Sequence, residues 1–261
     1  MINHSFAVMA YKDSPFLSEC LESLKKQTVE SFIFISTSTP SVYIFDIAKR
    51  FGVEVLVGEP GGIANDWNFG LSKAKTKYVT LAHQDDVYMP QYAEKCYNNA
   101  EQFSDTLICF TKYTEIVNDS ERGHTLMLGI KHLILSFFML FKENIRGKFW
   151  KKVLLSFGNP IPCPSVMYNL ETLNNFRFSN EYMINLDWEA WYRMAKMDGR
   201  FVYVRSSMLK HRIHADSETT LGLKNNVRQN EDIKMFSFFW PGFIVKILSS
   251  IYERSYKSNE I

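Results

Sequence analysis

The sequence has little cysteine, and none of it is paired. Cys20, Cys96, Cys109 and Cys163 lie far apart and form no Cys-x-x-Cys unit, which excludes a zinc ribbon and a disulfide framework. An excess of one charge is also missing. The chain has 30 Lys and Arg against 28 Asp and Glu, a net +2, so nothing global points to nucleic acid as a partner. No apolar run reaches the roughly 20 residues of a spanning helix. The most apolar stretch, Leu126 to Phe141, is interrupted by Lys131 and His132. Met1 to Ala10 has no basic region followed by a long apolar one, so no signal peptide is expected. With 46% hydrophobic and 22% charged residues, wholesale disorder, collagen-like and coiled-coil architectures are excluded too. What remains is a soluble, reduced, cytoplasmic chain.

Aromatic residues are plentiful, at 15% with 21 Phe and 13 Tyr. That supply suggests a sugar-facing or membrane-facing surface beyond the core. The first half of the 261 residues alternates strand and helix signals. Phe6–Ala10, Phe32–Ile35, Val53–Val57, Tyr78–Ala82 and Thr106–Phe110 are apolar runs of strand length. Between them, Ser14-Pro15, Thr39-Pro40 and Pro90 predict helix starts, with a cap residue ahead of proline at the first two. A Pro-Gly-Gly loop at 60–62 precedes a further helix to about Lys75. This alternation predicts a parallel α/β sheet, with ligands beyond the carboxyl ends of its strands. Tyr11–Asp13, Ser36–Ser38 and His83–Asp86 fall at that edge. Later signals predict a strand at Ser165–Tyr168, a helix at Asp187–Lys196 and a strand at Phe201–Val204. The chain from Met235 is apolar and aromatic, then polar after Glu253.

Three groups could do chemistry. Asp85-Asp86 sits where an apolar strand ends, and two acids there repel each other. A divalent cation relieves that repulsion, because Mg²⁺ and Mn²⁺ favour carboxylate oxygen. The alternative is that one acid caps a turn and the other is solvated. Asp187 stands at a helix start, as a plain cap with Trp188 and Trp191 packed, or as a general base flanked by aromatics that stack on a sugar. Lys210 to Ser217 contains Arg212, suited to a diphosphate, and His214, suited to a metal or to a structural role.

Taken in order, these segments resemble the family 2 glycosyltransferases, of the GT-A fold, from about Phe6 to Ser217. Ala10 to Thr28 looks like the family's first strand, loop and helix. Gly62-Ile-Ala-Asn-Asp-Trp-Asn-Phe-Gly-Leu71 looks like its Gly-Ile-Ala helix. Leu81-Ala-His-Gln-Asp-Asp-Val-Tyr-Met-Pro90 looks like its Asp-x-Asp-Asp motif. Leu186-Asp-Trp-Glu-Ala-Trp-Tyr-Arg193 looks like its base motif, and Arg212-Ile-His214 like the element that closes the site. The sequence also departs from the pattern. Ser36-Thr-Ser-Thr39 stands where many members are acidic. His83 stands for the first acid of the metal motif, Trp67 for an Arg, and Leu186 for a Glu.

The resemblance implies a Rossmann-like, mostly parallel sheet flanked by helices. Residues 1–220 would form the catalytic domain, with a nucleotide-sugar half at 1–111 and an acceptor half at 112–220, followed by a helical tail at 221–261. It implies an inverting transfer from a nucleotide-sugar, a UDP-sugar by preference, to a hydroxyl. Asp187 would be the catalytic base. Ala10, Tyr11, Ser36, Thr37, Asp66, Asn68, His83, Gln84, Asp85 and Arg212 would bind the nucleotide-sugar. Asp85, Asp86 and His214 would hold Mn²⁺ or Mg²⁺, and Trp188 and Glu189 would meet the acceptor. That acceptor would be a glycan, free or polyprenyl-diphosphate-linked, in surface-polysaccharide assembly at the inner face of the cell membrane. Segment 126–141, the basic residues Lys142, Arg146, Lys148, Lys151 and Lys152, and the tail Phe236–Tyr252 could touch an anionic bilayer, or be buried helices, one at a homodimer interface. Two rivals stay open, a GDP- or dTDP-sugar donor and a catalytically silent carbohydrate-binding or scaffold subunit.

Overall fold

The computed structural model describes residues 2–117, 120–122, 129, 133, 135–139, 143–214 and 227–257. The first part is a run of strand-helix units. It comprises β1 (His4–Ala10), α1 (Leu17–Lys25), β2 (Phe32–Thr37), α2 (Val42–Phe51), β3 (Glu54–Val57), α3 (Ile63–Lys73) and β4 (Tyr78–His83). The short β5 (Val87–Tyr88), α4 (Tyr92–Ala100) and the long β6 (Thr106–Val117) follow. Then come β7 (Ser120–Arg122), β8 (Asn144–Ile145), α5 (Lys148–Leu155), a 3₁₀ turn at Cys163–Ser165, β9 (Val166–Asn169) and α6 (Leu170–Leu173). The chain ends with α7 (Leu186–Ala195), β10 (Arg200–Ile213), α8 (Val227–Ser237) and α9 (Gly242–Lys257).

One ten-stranded sheet runs β3-β2-β1-β4-β9-β6-β10-β5, with β7 beside β6 and β8 beside β10. The first four of these strands are parallel, as the alternation predicts. The rest is mixed. β9 is antiparallel to both β4 and β6, while β6 and β10 run parallel. β10 extends to Ile213 through two register shifts around Ser207, so the Lys210–Ile213 segment is strand rather than the loop after one.

Helices cover both faces, and each face has its own apolar cluster. One gathers Phe6, Val8, Leu21, Ile44 and Tyr92 under α1, α2 and α4. The other gathers Leu81, Phe110, Trp188, Trp191, Met235 and Phe236 under α3, α5, α7 and α8. Fully burying one aliphatic or aromatic side chain is worth about 1.5–3 kcal/mol, so both clusters hold the sheet. Within the tail expected from 221, α8 and α9 are helices among the described residues, and α8 is sewn into the core through Met235 and Phe236. Two helix starts also differ from expectation. Ser41, not Thr39, caps α2, its Oγ accepting from the Ile44 N–H at 3.2 Å. α1 begins at Leu17, after a turn at Pro15-Phe16, rather than at Pro15. In both cases the helix starts two residues after the proline of the Ser/Thr-Pro pair.

All four cysteines are buried and free. Among the described residues, no helix is long and apolar enough to cross a membrane. Segment 126–141 lies largely outside the described residues; within it, Leu135 and Met139 are buried in the core.

Candidate active site

Strand register brings three loops to one edge. Met9 of β1 pairs with Ser36 of β2 on one side and with His83 of β4 on the other. Residues 10–12, 37–39 and 83–86 therefore leave the sheet side by side, where ligands of such sheets bind. Side chains lock the loops together. The Gln84 amide donates to the Tyr11 carbonyl at 2.9 Å and accepts from the Tyr11 N–H at 3.1 Å. The Lys12 N–H donates to Thr39 Oγ1 at 2.6 Å, from a residue held at φ 55°. That left-handed conformation costs a non-glycine residue on the order of 1 kcal/mol and concentrates at functional sites. Tyr11 stays 45% exposed, whereas Ala10, Ser36 and Thr37 are buried. On α3, burial raises the Asp66 carboxyl, against a lowering hydrogen bond from Ser38.

β5 pairs antiparallel with β10, Val87 opposite Lys210. The end of β10 is thereby laid over the loop that leaves β4. Asp86 is fully buried, and its Oδ1 accepts from the Arg212 N–H and meets His211 Nδ1, both at 2.9 Å. Burial pulls His211 down, but the Asp86 charge and hydrogen bond, backed by Asp85 and Glu115, lift it to about 9. His211 is therefore an imidazolium at neutral pH. Burial likewise pushes Asp85 up, yet the His214 hydrogen bond (Nε2 to Oδ2, 3.0 Å) and the neighbouring imidazoles hold it below the usual carboxylate range. Burial lowers His83, against the charges of Asp86 and Asp85, and leaves it a neutral imidazole.

His83, Asp85 and Asp86 each offer a ligand atom, and these atoms lie within 4.8 Å of one another. Two of the buried atoms there, His83 Nε2 and Asp86 Oδ2, have no hydrogen-bond partner among the described residues. Orphaned polar atoms of that kind ask for an explanation. One neutral nitrogen and two carboxylates suit a divalent ion of the Mn²⁺ type, so the residues fit a cation.

The second carboxylate comes from α7. Asp187 lies in its first turn, half-buried, with Oδ1 accepting from the Trp188 N–H at 2.7 Å. Asn185, not Asp187, occupies the N-cap position, and it makes no capping side-chain bond. The approach to this turn is clamped by α8. The buried Glu231 carboxylate accepts from the backbone N–H groups of Met183 (2.7 Å), Ile184 (3.0 Å) and Asn185 (2.8 Å). Asp232 accepts from the Asn185 side chain at 2.8 Å. The Cys163 thiol is raised by burial first, then by the charges of Asp187 and Asp86. The 163–165 turn thus lies within electrostatic reach of both acids.

Several residues are placed differently from expectation. Trp188 is 1% exposed with its Nε1 donating to the Leu155 carbonyl at 3.1 Å, so it cannot stack on a sugar. Glu189 is buried and paired with Arg193 at 2.6 Å, one helical turn on, and does not face an acceptor. Both lie on the inward side of α7, because the apolar stripe of that helix includes their positions. Asn68 does not line a pocket. Its amide donates to the Phe178 carbonyl at 2.9 Å and accepts from the Phe178 N–H at 2.7 Å. Arg212 is 3% exposed, its guanidinium donating to Glu19 at 2.6 Å and to the Asp85 carbonyl at 3.0 Å, over the Phe16 ring. It pins the Asp85 loop from below. Sequence reasoning missed Glu19, His211, Glu231 and Asp232. Only His211 carried a signal, as a neighbour of the Arg-x-His element.

A family model described as Glycosyl transferase family 2 matches residues 5–162. The Bacillus subtilis protein EpsH is 26% identical over 164 residues, covering 57% of this chain and 46% of EpsH. The chain thus spans less than half the length of that relative. Among solved structures, Staphylococcus aureus TarS 1–349 in complex with UDP-GlcNAc is similar at a TM-score of 0.62 and 13% identity, covering 100% of this chain and 74% of that one. The mannosyltransferase PcManGT from Pyrobaculum calidifontis, in complex with GDP-Man and Mn²⁺, is similar at 0.62 and 12%, covering 97% and 69%. At such identities the likeness shows the fold, which is that of the GT-A enzymes.

Proposed function

The chain belongs to glycosyl transferase family 2, and on that premise we propose that it is an inverting, metal-dependent transferase. It moves a sugar from a nucleotide-diphosphate sugar, a UDP-sugar by preference, to a hydroxyl of a growing glycan. The observation that carries this reading is the group of His83, Asp85 and Asp86, with ligand atoms within 4.8 Å of one another where β4 ends at the carboxyl edge of the sheet, while the charges of Asp86 and Asp187 both act on Cys163. Residues 1–111 serve as the donor half. Residues 112–220 and the α8 clamp serve the acceptor.

Asp187 takes the proton of the acceptor hydroxyl as that oxygen attacks the anomeric carbon in line. The bond from that carbon to the diphosphate oxygen breaks, and the nucleotide leaves with the electron pair. A carboxylate is a weak base, but the hydroxyl acidifies as the bond forms, so late transfer suffices. Asp85, with His83 and Asp86 beside it, would hold the cation, which when bound offsets negative charge on the leaving diphosphate. Tyr11, Asp66 and Gln84 line the nucleotide side, over the buried Ser36 and Thr37. His214 orients Asp85, and Arg212 holds its loop.

TarS carrying UDP-GlcNAc supports a UDP-sugar, while PcManGT carrying GDP-Man and Mn²⁺ keeps a GDP-sugar as the second reading. Ser36–Thr39, with no acid to meet a uracil, is the feature that favours the second. The acceptor is proposed to be lipid-linked, as in surface-polysaccharide assembly. Thermal melts with UDP or GDP, each with and without Mn²⁺, test the donor site. At a hundredfold excess over Kd, binding adds about 2.7 kcal/mol, and a Mn²⁺-dependent rise with one nucleotide is expected. No rise with either would overturn the reading.

A further inference from the structure

Two imidazoles stand close to the Asp85-Asp86 pair, and they are held in different ways. His214 is committed through its nitrogen. Its Nε2 meets Asp85 Oδ2 at 3.0 Å, and its ring lies 5.3 Å from that of Phe16. His83 is held by its backbone and by the face of its ring. It is the last residue of β4, in register with Met9 of β1, and its carbonyl accepts from the Cys20 thiol at 3.3 Å. The Trp67 indole of α3 lies against its ring, at 5.4 Å between centroids and 34° between planes. Trp67 is itself fixed edge-on by Phe178 at 4.9 Å. The His83 Nε2 atom is buried and has no hydrogen-bond partner among the described residues.

Asp86 supplies a second atom of that kind. The residue is wholly buried, and its Oδ1 is doubly bound while its Oδ2 has no partner among the described residues. Buried polar atoms without partners are rare enough to need a reason. With Asp85, these two side chains bring ligand atoms within 4.8 Å of one another. We infer that His83 is a nitrogen ligand of the cation in the proposed reaction, and that it biases the site towards a first-row transition ion such as Mn²⁺ and against Mg²⁺. Mg²⁺ is a hard ion that prefers oxygen and gives up its water reluctantly, whereas imidazole is a ligand of transition metals. A carboxylate at position 83 would make the set all oxygen and open it to Mg²⁺. Trp67 keeps the ring from turning, so the nitrogen is aimed before any ion arrives. His214 then orients Asp85 and is not itself a ligand. The inference deepens the proposed metal-dependent transfer and takes its purpose from that reading.

Pulsed EPR of the full chain with Mn²⁺ at millimolar concentration and no nucleotide tests the bond. Modulation from a coupled imidazole nitrogen is expected, lost in His83→Asp and His83→Gln and kept in His214→Gln. Competition tests the choice of ion. Mg²⁺ should displace Mn²⁺ only at a roughly tenfold or greater excess, and His83→Asp should cut that excess at least several-fold. His83→Gln adds no charge to the buried site and keeps the test open if His83→Asp does not fold. No bound Mn²⁺, bound Mn²⁺ without nitrogen coupling, or coupling that His83→Gln keeps and His214→Gln removes overturns the inference. So does an Mg²⁺ excess that a folded His83→Asp leaves unchanged. A nucleotide shift beside uncoupled Mn²⁺ would strike this inference and leave the donor reading standing. Coupled Mn²⁺ with no nucleotide shift would do the reverse.

Discussion

The two acid-bearing segments are built by opposite means. The Asp85-Asp86 loop is held by electrostatics at close quarters. Against the buried Asp86 carboxylate and Asp85, the end of β10 brings an imidazolium, a guanidinium and, at His214 just past it, a second imidazole, and Glu19 of α1 braces the guanidinium. Asp187 stands on a helix packed by size. Trp188 and Trp191 are wholly buried, and each donates its indole N–H to a carbonyl, Leu155 and Ile161. Charge enters through Glu231 at the approach to that helix and through the Glu189–Arg193 pair along it. The first arrangement can accept a cation and change its protonation. The second is a rigid post that keeps one carboxylate in place. A transferase with a mobile charged donor and a neutral acceptor hydroxyl needs one of each.

Breaking the post at its working end should have the largest effect. Asp187→Asn keeps the shape and removes the carboxylate proposed as base, and turnover should fall by about 10²–10⁴, with UDP–Mn²⁺ binding by calorimetry unchanged. Loss of binding as well would move Asp187 to the donor side.

The charged loop is tested by pH. His211 is raised above its free value of 6.5 to about 9 in the folded protein. Its contribution is therefore complete below pH 6.5 and is lost as pH rises through 9, a decline of up to about 3 kcal/mol. Denaturant melts of metal-free protein in EDTA between pH 6 and 10 should show it, and Asp86→Asn should flatten it. An equal slope in that variant would detach the effect from this pair. The smallest effect belongs to the clamp. Glu231→Gln leaves at least one of three backbone N–H groups poorly satisfied, at a cost of about 1–3 kcal/mol. Amide exchange should quicken at 183–187 and stay unaltered at 83–86. Equal quickening at both segments would mean that the two arrangements are one.

Legibility followed the same divide. The parallel units were readable because each strand is an apolar run and each connection opens on a turn signal. The Asp85, Asp187 and Arg212–His214 segments were readable by their order along the chain. β10 was not readable past Val204, because its far end is Ser206, Ser207, Lys210 and His211, polar residues at an edge that only their partners in β5 and β6 explain. Aromatics beside an acid suggested sugar stacking at Trp188, since composition does not say which side of a helix faces inward. Glu231 and Asp232 belong to a polar helical segment with no motif, and their meaning lies in three amides some 46 to 48 residues away in sequence.

That separation has a consequence for synthesis. Chains leave the ribosome from the amino end, so Glu231 emerges after the Met183–Asn185 segment that it fastens. The Asp86 loop waits for His211 and Arg212 of β10, and the turn before Asp187 stays unfastened until Glu231 arrives. A chain that stops between those two points would carry a fastened Asp86 loop beside a loose approach to Asp187.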